Sequence, residues 1–350
     1  MSWEKNVRRV EPYVAGEQPK REGVIKLNTN ECPYPPSPEV GKIQEEMDYG
    51  KLRLYPDMHA EKLVHALADY YHVKPEQVFV GVGSDDVLAM AFMTFFYGDK
   101  PILFPDITYS FYNVWAEVFR IPYKVCALDS DFRIRKEDYL RSNGGIVIPN
   151  PNAPTGVLED VSLFEEIIAE NPDSVVIVDE AYVDFGGTSM IPLINQYDNL
   201  MVVQTFSKSR AMAGARIGFA IGNEKLIHYL KDVKFSFNSY TMNMPAIEMG
   251  TAAVLDDAYF KEMIGKIVKT REWTKEQLKR LGFSFADSKA NFLFVSHEKV
   301  PAKDIFLALK ANNIYVRHWD KERISNYLRI TIGTDEQMEK LVAFLENYLK

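Results

Sequence analysis

At 350 residues, with 47% apolar and 26% charged side chains, the chain has the balance of a soluble globular protein and room for one large and one small core. A formal charge of −8 excludes a basic surface for nucleic acid, so any phosphate must be held locally by a few arginines and backbone amides. The two cysteines, Cys32 and Cys126, are too few for a disulfide framework and lack the spacing of a zinc site, which leaves no metal to expect and points to a reducing compartment, the cytoplasm.

The opening MSWEKNVRRVEPY carries charges with no apolar run behind them, so no signal peptide is expected. Through about residue 40, which includes CPYPPSP, the chain is too Pro-interrupted for a helix or inner strand and is expected to run as an extended arm. From about residue 50, short β-rich runs alternate with helical patterns, the signature of a parallel sheet covered by helices, so the fold class is α/β. Ala60, Leu63, Val64, Leu67 and Ala68 recur at helical spacing, 78–82 reads as a strand, and Asp85 opens another helix. The apolar run 87–97 in that helix is about half a membrane span and is read as buried, so no membrane partner is expected. Further strands are expected at 101–104, 145–149, 175–178 and 201–205, and their near-continuous hydrophobicity implies burial on both faces. The stretch 257–281 reads as a helix leaving this sheet, followed by strands at 291–295 and 327–332 with a helix between them. The expected division is a large domain over 46–258, with 1–45 and 259–350 forming the arm and a small domain.

The strand at 175–178 runs into Asp179-Glu180-Ala181-Tyr182, which puts an acid at the carboxyl edge of the sheet, where α/β proteins bind ligands. An acid there can equally be solvated or cap a turn. Thr205-Phe206-Ser207-Lys208 follows the next strand, with Arg216 eight residues beyond the lysine. A lone lysine after a strand is ordinarily solvated, but this one lies 29 residues past the acid, with hydroxyls on one side and an arginine in range on the other. An amine to condense with an aldehyde, Ser207 and Arg216 to hold a phosphate, and Asp179 to pair with a protonated ring nitrogen together describe a site for a phosphorylated aldehyde.

Gly81-Val82-Gly83-Ser84-Asp85-Asp86 joins a strand to a helix, where free N–H groups and the positive helix end attract phosphate; a plain N-cap by Ser84 or Asp85 would need no ligand. With aspartate at its sixth position the dinucleotide fingerprint is incomplete, and no P-loop motif occurs. The turn-rich NPNAPTG at 150–156 falls again at the ligand edge, though a tight loop would read the same way. Tyr109, after another strand, is placed to stack on a flat ring or to fill the core.

Taken in order, GSDD, Tyr109, NPNAPTG, DEAY, SK and Arg216 resemble the fold-type I aminotransferases of the aspartate aminotransferase superfamily. The resemblance spans nearly the whole chain, because LNTNE at 27–31 and LRITIG at 328–333 are similar too. Within the superfamily, EPY at 11–13, KLNTNECPYPPSP at 26–38, RLYP at 53–56, NIYVR at 313–317 and LRITIG are most similar to the histidinol-phosphate aminotransferase family. The resemblance implies pyridoxal 5′-phosphate as cofactor, and a large domain with a mostly parallel sheet sandwiched by helices beside a smaller α+β domain. It implies Lys208 as the imine-forming and proton-shuttling lysine, Asp179 as partner of the pyridine nitrogen, and Tyr182 as donor to the ring hydroxyl. Tyr109 would stack on the ring, while Ser207, Arg216 and the amides of Ser84 and Asp85 would take the phosphate. Tyr55 would help from a partner subunit, which implies a homodimer.

The implied reaction, a step of histidine biosynthesis, moves an amino group between L-histidinol phosphate and 2-oxoglutarate, giving imidazole acetol phosphate and glutamate. Arg329 would bind the carboxylate of glutamate; Tyr13, Asn30 and Arg317 would serve histidinol phosphate, Tyr13 and Arg317 near its phosphate. In one departure, the family often has asparagine immediately before the proline of its PTG turn, to bond the ring hydroxyl, whereas this chain has Ala153, so Asn152 is expected to substitute. The cofactor motifs do not select substrate, which leaves an aromatic amino-acid aminotransferase or a threonine-phosphate decarboxylase open. A cofactor-sensing regulatory module is a further alternative, without a basic DNA-binding segment to support it.

Overall fold

The computed structural model describes residues 3–13, 16–20 and 23–350; the parts of the expected arm at 1–2, 14–15 and 21–22 lie outside the described residues. In chain order the strands are β1 (Ile25–Lys26), β2 (Val78–Gly81), β3 (Ile102–Pro105), β4 (Tyr123–Cys126), β5 (Ile146–Pro149), β6 (Val176–Asp179) and β7 (Leu200–Thr205). They continue with β8 (Gly218–Gly222), β9 (Phe283–Phe285), β10 (Phe292–His297), β11 (Ile314–Tyr315), β12 (Arg317–His318) and β13 (Leu328–Thr331).

The large sheet has the order β2-β8-β7-β6-β5-β3-β4, parallel except for β8, which runs antiparallel to both neighbours. Because side chains alternate along a strand, Val176 and Val178 of β6 enter one core with Leu63, Leu67, Phe164 and Ile247, while Ile177 enters the opposite one with Phe92, Tyr112 and Leu230. Helices therefore cover both faces, and the near-continuous apolar strands are buried throughout.

Two strands of this sheet carry no such signature and were not expected. β4 is the sheet edge, with its first three residues exposed, so hydrophobicity does not mark it. β8 is bracketed by glycines, and a Cβ at Gly218 would lie 2.2 Å from the Ser84 nitrogen. Only glycine there lets the helix Ser84–Phe95 begin so close to the strand.

The helix Asp257–Arg280 leads from this sheet to a second, antiparallel one of order β12-β13-β10-β9. The helices Ala302–Ala311 and Asp335–Tyr348 bury Ile305, Leu309, Leu341 and Leu345 in a common core with Leu293, Val295 and Ile330 of that sheet. β1 pairs in parallel with β11, so the end of the arm docks on the smaller unit. CPYPPSP is irregular as expected, but it closes with the helix Pro38–Glu46, started by the Ser37 hydroxyl accepting from the Glu39 N–H and by Pro38 in the first turn. This helix was expected to belong with the arm; instead it packs Val40 into the core of the large sheet. No helix among the described residues is long and apolar enough to cross a membrane.

The carboxyl ends of β3, β5, β6 and β7 and the turn after β2 thus gather at one edge of the large sheet, facing residues of the arm and of β12 and β13 across a pair of cavities.

Candidate active site

The inner cavity, of about 180 Å³, is lined by Ser84, Asp85, Tyr109, Ala153, Asp179, Tyr182, Ser207, Lys208 and Arg216. At its floor stands Asp179, carried to the edge of the sheet by three buried β-branched residues and flanked in register by Pro149 and Val203. It is 5% exposed; one carboxylate oxygen accepts from the Tyr112 hydroxyl at 2.7 Å and the other from the Ala181 N–H at 3.2 Å. Burial pushes its pKa up to about 6, and the two hydrogen bonds restrain the rise. Such an acid is suited to a cationic partner supplied from the cavity. The Lys208 amine lies 3.4 Å from the Thr29 carbonyl oxygen and 5.8 Å from the centre of the Tyr182 ring.

The other end of the cavity is an anion cradle. Arg216 follows a short 3-10 turn in left-handed backbone, φ 54°, and its guanidinium reaches the Ser207 hydroxyl at 3.5 Å and the Asp85 carboxylate at 3.2 Å. A Cβ at Gly83, φ 87°, would fall 2.5 Å from that guanidinium. Glycines at 83 and 218 thus let an arginine and a helix N-terminus converge on one point, the arrangement that binds phosphate. Amine, buried acid and cradle match the aldehyde, ring nitrogen and phosphate of pyridoxal 5′-phosphate, so the residues present fit that cofactor. The Asp85 side chain is an additional member: it also accepts from the Tyr109 hydroxyl at 2.7 Å, which anchors that aromatic ring at the cavity wall. Burial, reinforced by the Asp85 charge, raises the Tyr109 phenol far above its ordinary range and keeps it protonated.

An outer cavity of about 420 Å³ shares Thr29, Tyr109, Ala153, Tyr182 and Lys208 with the inner one and adds Tyr13, Asn30, Arg317 and Arg329. Tyr13 stacks on Phe111 at 4.3 Å. Arg329 is held between the Phe292 and Trp319 rings, each at 5.3 Å, and donates to the Asn28 carbonyl at 3.1 Å. Its Nε is buried with no hydrogen-bond acceptor, an unmet donor that an anion in this cavity would satisfy. The Arg317 guanidinium lies over the Trp319 ring, 5.4 Å from its centre. From the small unit Arg323 crosses the mouth, donating to the Asp106 carboxylate at 2.7 Å and to the carbonyls of Leu128 and Asp129 at 2.8 Å.

Two expected roles, those of Asn152 and Asn30, read differently in three dimensions. Asn152 is turned away: its amide donates to the Ile107 carbonyl and the Thr155 hydroxyl, both at 3.0 Å, and accepts from the Thr108 hydroxyl at 3.2 Å. It ties two loops together, only the Ala153 methyl faces the inner cavity, and Asn152 does not substitute for the missing asparagine. Asn30 lines the outer cavity, yet its amide is committed to Tyr182 and Thr331. Tyr55 lines neither cavity of its own subunit; it is 81% exposed, with its ring 4.8 Å from that of Tyr240. Conversely, Tyr112, the Asp85 carboxylate and Arg323 escaped sequence reasoning. A buried tyrosine in an apolar helix looks like any core residue, and only its hydroxyl partner distinguishes it.

The sequence pattern of the family described as aminotransferase class I and II matches residues 22–345. The histidinol-phosphate aminotransferase of Lactococcus lactis subsp. cremoris (strain SK11) is 51% identical over 350 residues, which is 100% of this chain and 98% of that protein. Among solved structures, the histidinol-phosphate aminotransferase from Sinorhizobium meliloti in complex with pyridoxal-5′-phosphate superposes with a TM-score of 0.84 at 22% identity, over 93% of this chain and 90% of that one. The L-threonine-O-3-phosphate decarboxylase from Porphyromonas gingivalis gives 0.79 at 22% identity, over 93% of this chain and 99% of that one, so shape alone does not separate the two chemistries.

Proposed function

The chain belongs to the class I and II aminotransferase family, with its fold-type I architecture, and from that premise we propose that it transfers an amino group between L-histidinol phosphate and 2-oxoglutarate, using pyridoxal 5′-phosphate. The observation that carries the reading is the meeting of Lys208, the buried Asp179 and the Arg216 cradle in one cavity, beneath an outer cavity lined by Arg317, Arg323 and Arg329. The full-length identity to a histidinol-phosphate aminotransferase favours this substrate over threonine phosphate or an aromatic amino acid.

When bound, the cofactor supplies an electron-accepting ring that acidifies the α-proton of a substrate amine. Ser207, Arg216 and the amides of Ser84 and Asp85 would hold its phosphate, and Tyr109 would pack beside its ring. The Asp179 carboxylate, sheltered from water, retains the proton of the ring nitrogen. The Lys208 amine would be the general base that takes the α-proton of the substrate and the acid that returns it. Tyr182 donates toward the ring oxygen.

Arg329, with its unmet Nε–H, receives the carboxylate of glutamate, and Arg317 with Tyr13 receives the phosphate of histidinol phosphate, which has no carboxylate. The Arg323 bridge holds the small unit across the mouth and excludes water, with the helix Asp257–Arg280 as the link between the two units. Tyr55 packs on Tyr240, both exposed, and Tyr49, Leu52 and Leu54 just before it in the chain are exposed too, which suits a second subunit whose phosphate site Tyr55 would complete. The enzyme then works as a homodimer in the cytoplasm, in histidine biosynthesis.

The test is the absorbance spectrum of the purified protein, in which a band at about 420 nm is expected for lysine-bound cofactor. Histidinol phosphate alone bleaches it and 2-oxoglutarate restores it, while Lys208→Ala shows neither change. An intact band overturns the substrate, and release of carbon dioxide from threonine phosphate would install the decarboxylase instead. Unphosphorylated histidinol should react about 10⁴-fold less well, because the cations awaiting its phosphate would stay unpaired.

A further inference from the structure

Tyr182 lines both cavities, and its usefulness to any group bound there depends on where its one phenolic proton points. Ala153, which packs in the same core and lines the same inner cavity, offers only a methyl, and Asn152 is turned away. The direction of the Tyr182 proton follows from counting donors and acceptors around the buried Asn30, which is 1% exposed.

The Asn30 backbone N–H can only donate, and it donates to the Thr331 hydroxyl oxygen at 3.0 Å. That hydroxyl in turn faces the Asn30 side-chain amide at 3.0 Å. Every proton finds an acceptor when Thr331 donates to Oδ1, and this turns the Nδ2 amine toward the Tyr182 oxygen, 2.9 Å away. The reversed amide would aim a second N–H at Thr331 and leave the threonine proton without an acceptor. The Asn30 carbonyl is fixed as well, accepting from the Asn291 amide at 3.0 Å. Tyr182 thus receives a hydrogen bond from behind, and its own proton is left for the cavity.

We propose that Asn30 is a positioning residue: it donates to the Tyr182 oxygen so that the phenol proton is aimed into the inner cavity, and through Thr331 it ties that aim to the strand carrying Arg329. Thr331 and Arg329 are two residues apart on β13, in register with Phe292 and Phe294 of β10, so they share one side of the sheet. The aim of the Tyr182 proton is thereby linked to a residue of the small unit. The inference rests on the cofactor reading above for the identity of the acceptor, an oxygen on the ring of a lysine-bound aldehyde.

A proton aimed at that oxygen stabilises negative charge on it and so weakens its hold on the proton of the neighbouring lysine nitrogen. The midpoint of the absorbance change between about 420 nm and about 360 nm, followed against pH without substrate, reads this directly. Tyr182→Phe should raise the midpoint by about one pH unit or more. Asn30→Asp keeps the shape but cannot donate and instead attracts the phenol proton, so it should raise the midpoint about as far as Tyr182→Phe. Asn30→Ala should move it the same way by less. If an Asn30 variant does not fold, Thr331→Val, which removes the proton that orients the amide, is read by the same titration and should also move the midpoint upward. A coloured wild-type protein whose midpoint is unmoved by Asn30→Asp, or by Thr331→Val in its place, overturns this inference alone. A colourless wild-type protein overturns the cofactor reading and this inference with it.

Discussion

Replacing Tyr112 by phenylalanine removes one hydroxyl from a site that water barely reaches, and the effect can be worked through from Asp179. Burial already holds that carboxyl up to about 6, and the Tyr112 hydroxyl, 2.7 Å from its Oδ2, is the largest influence pulling it down. A hydrogen bond to a charged group is worth about 1.5–3 kcal/mol, so its loss should lift Asp179 by about one to two pH units, to about 7 or 8. The sign for stability follows from linkage. A carboxyl raised in the folded state favours folding below its unfolded value near 3.8 and loses that advantage as pH rises through the folded value.

In ligand-free protein, therefore, wild type and Tyr112→Phe should unfold at nearly the same urea concentration at about pH 5, where both carboxyls are largely neutral. They should diverge by the full ~1.5–3 kcal/mol above about pH 8, where both must ionise. Cofactor affinity measured at about pH 7.5 should weaken in parallel, because the variant keeps less carboxylate to pair with a ring nitrogen. A stability difference independent of pH would refute the reasoning and reduce Tyr112 to packing.

Gly218→Ala forces a Cβ to within 2.2 Å of the Ser84 nitrogen, backbone that cannot swing aside; the phosphate turn must shift, and cofactor binding should weaken at least about tenfold, read as a higher dissociation constant by fluorescence titration. Arg323→Ala removes the bridge to Asp106 and two carbonyls, and should raise KM for both substrates more than it lowers kcat, with only about 1 kcal/mol lost from stability in urea titrations. Single-turnover measurements should separate Arg329 from Arg317: Arg329→Ala slows the half-reaction with glutamate by about 10²-fold or more, and Arg317→Ala slows the one with histidinol phosphate. Equal effects of each variant on both halves would contradict the assignment of one arginine to each anion.

Most of the scaffold was legible along the chain because its signals are local. Short apolar runs such as Val-Ile-Val before Asp179 bury both faces of a strand here, and the acid and the lysine stand next to such runs. β4 and β8 lacked that signal: one is an exposed edge, and the other trades side chains for the glycines that admit Ser84. Asn152 shows the same limit within the site. Its neighbours in sequence make it a reasonable ring-oxygen ligand, yet the carbonyl of Ile107 and the hydroxyls of Thr108 and Thr155 lie closer to hand and consume its amide.

By itself, then, the sequence determined which strands are buried and which chemical groups end them, since burial pattern and residue type are properties of short segments. Tertiary structure alone decided which hydroxyl restrains Asp179, where the Tyr182 proton points, and that Arg323 spans the mouth. Each of these is a hydrogen bond between residues far apart in the chain, 67 positions for Tyr112 and Asp179, 152 for Asn30 and Tyr182, and 217 for Asp106 and Arg323. Their directions are set by which donors and acceptors packing leaves without water, and no local pattern records that.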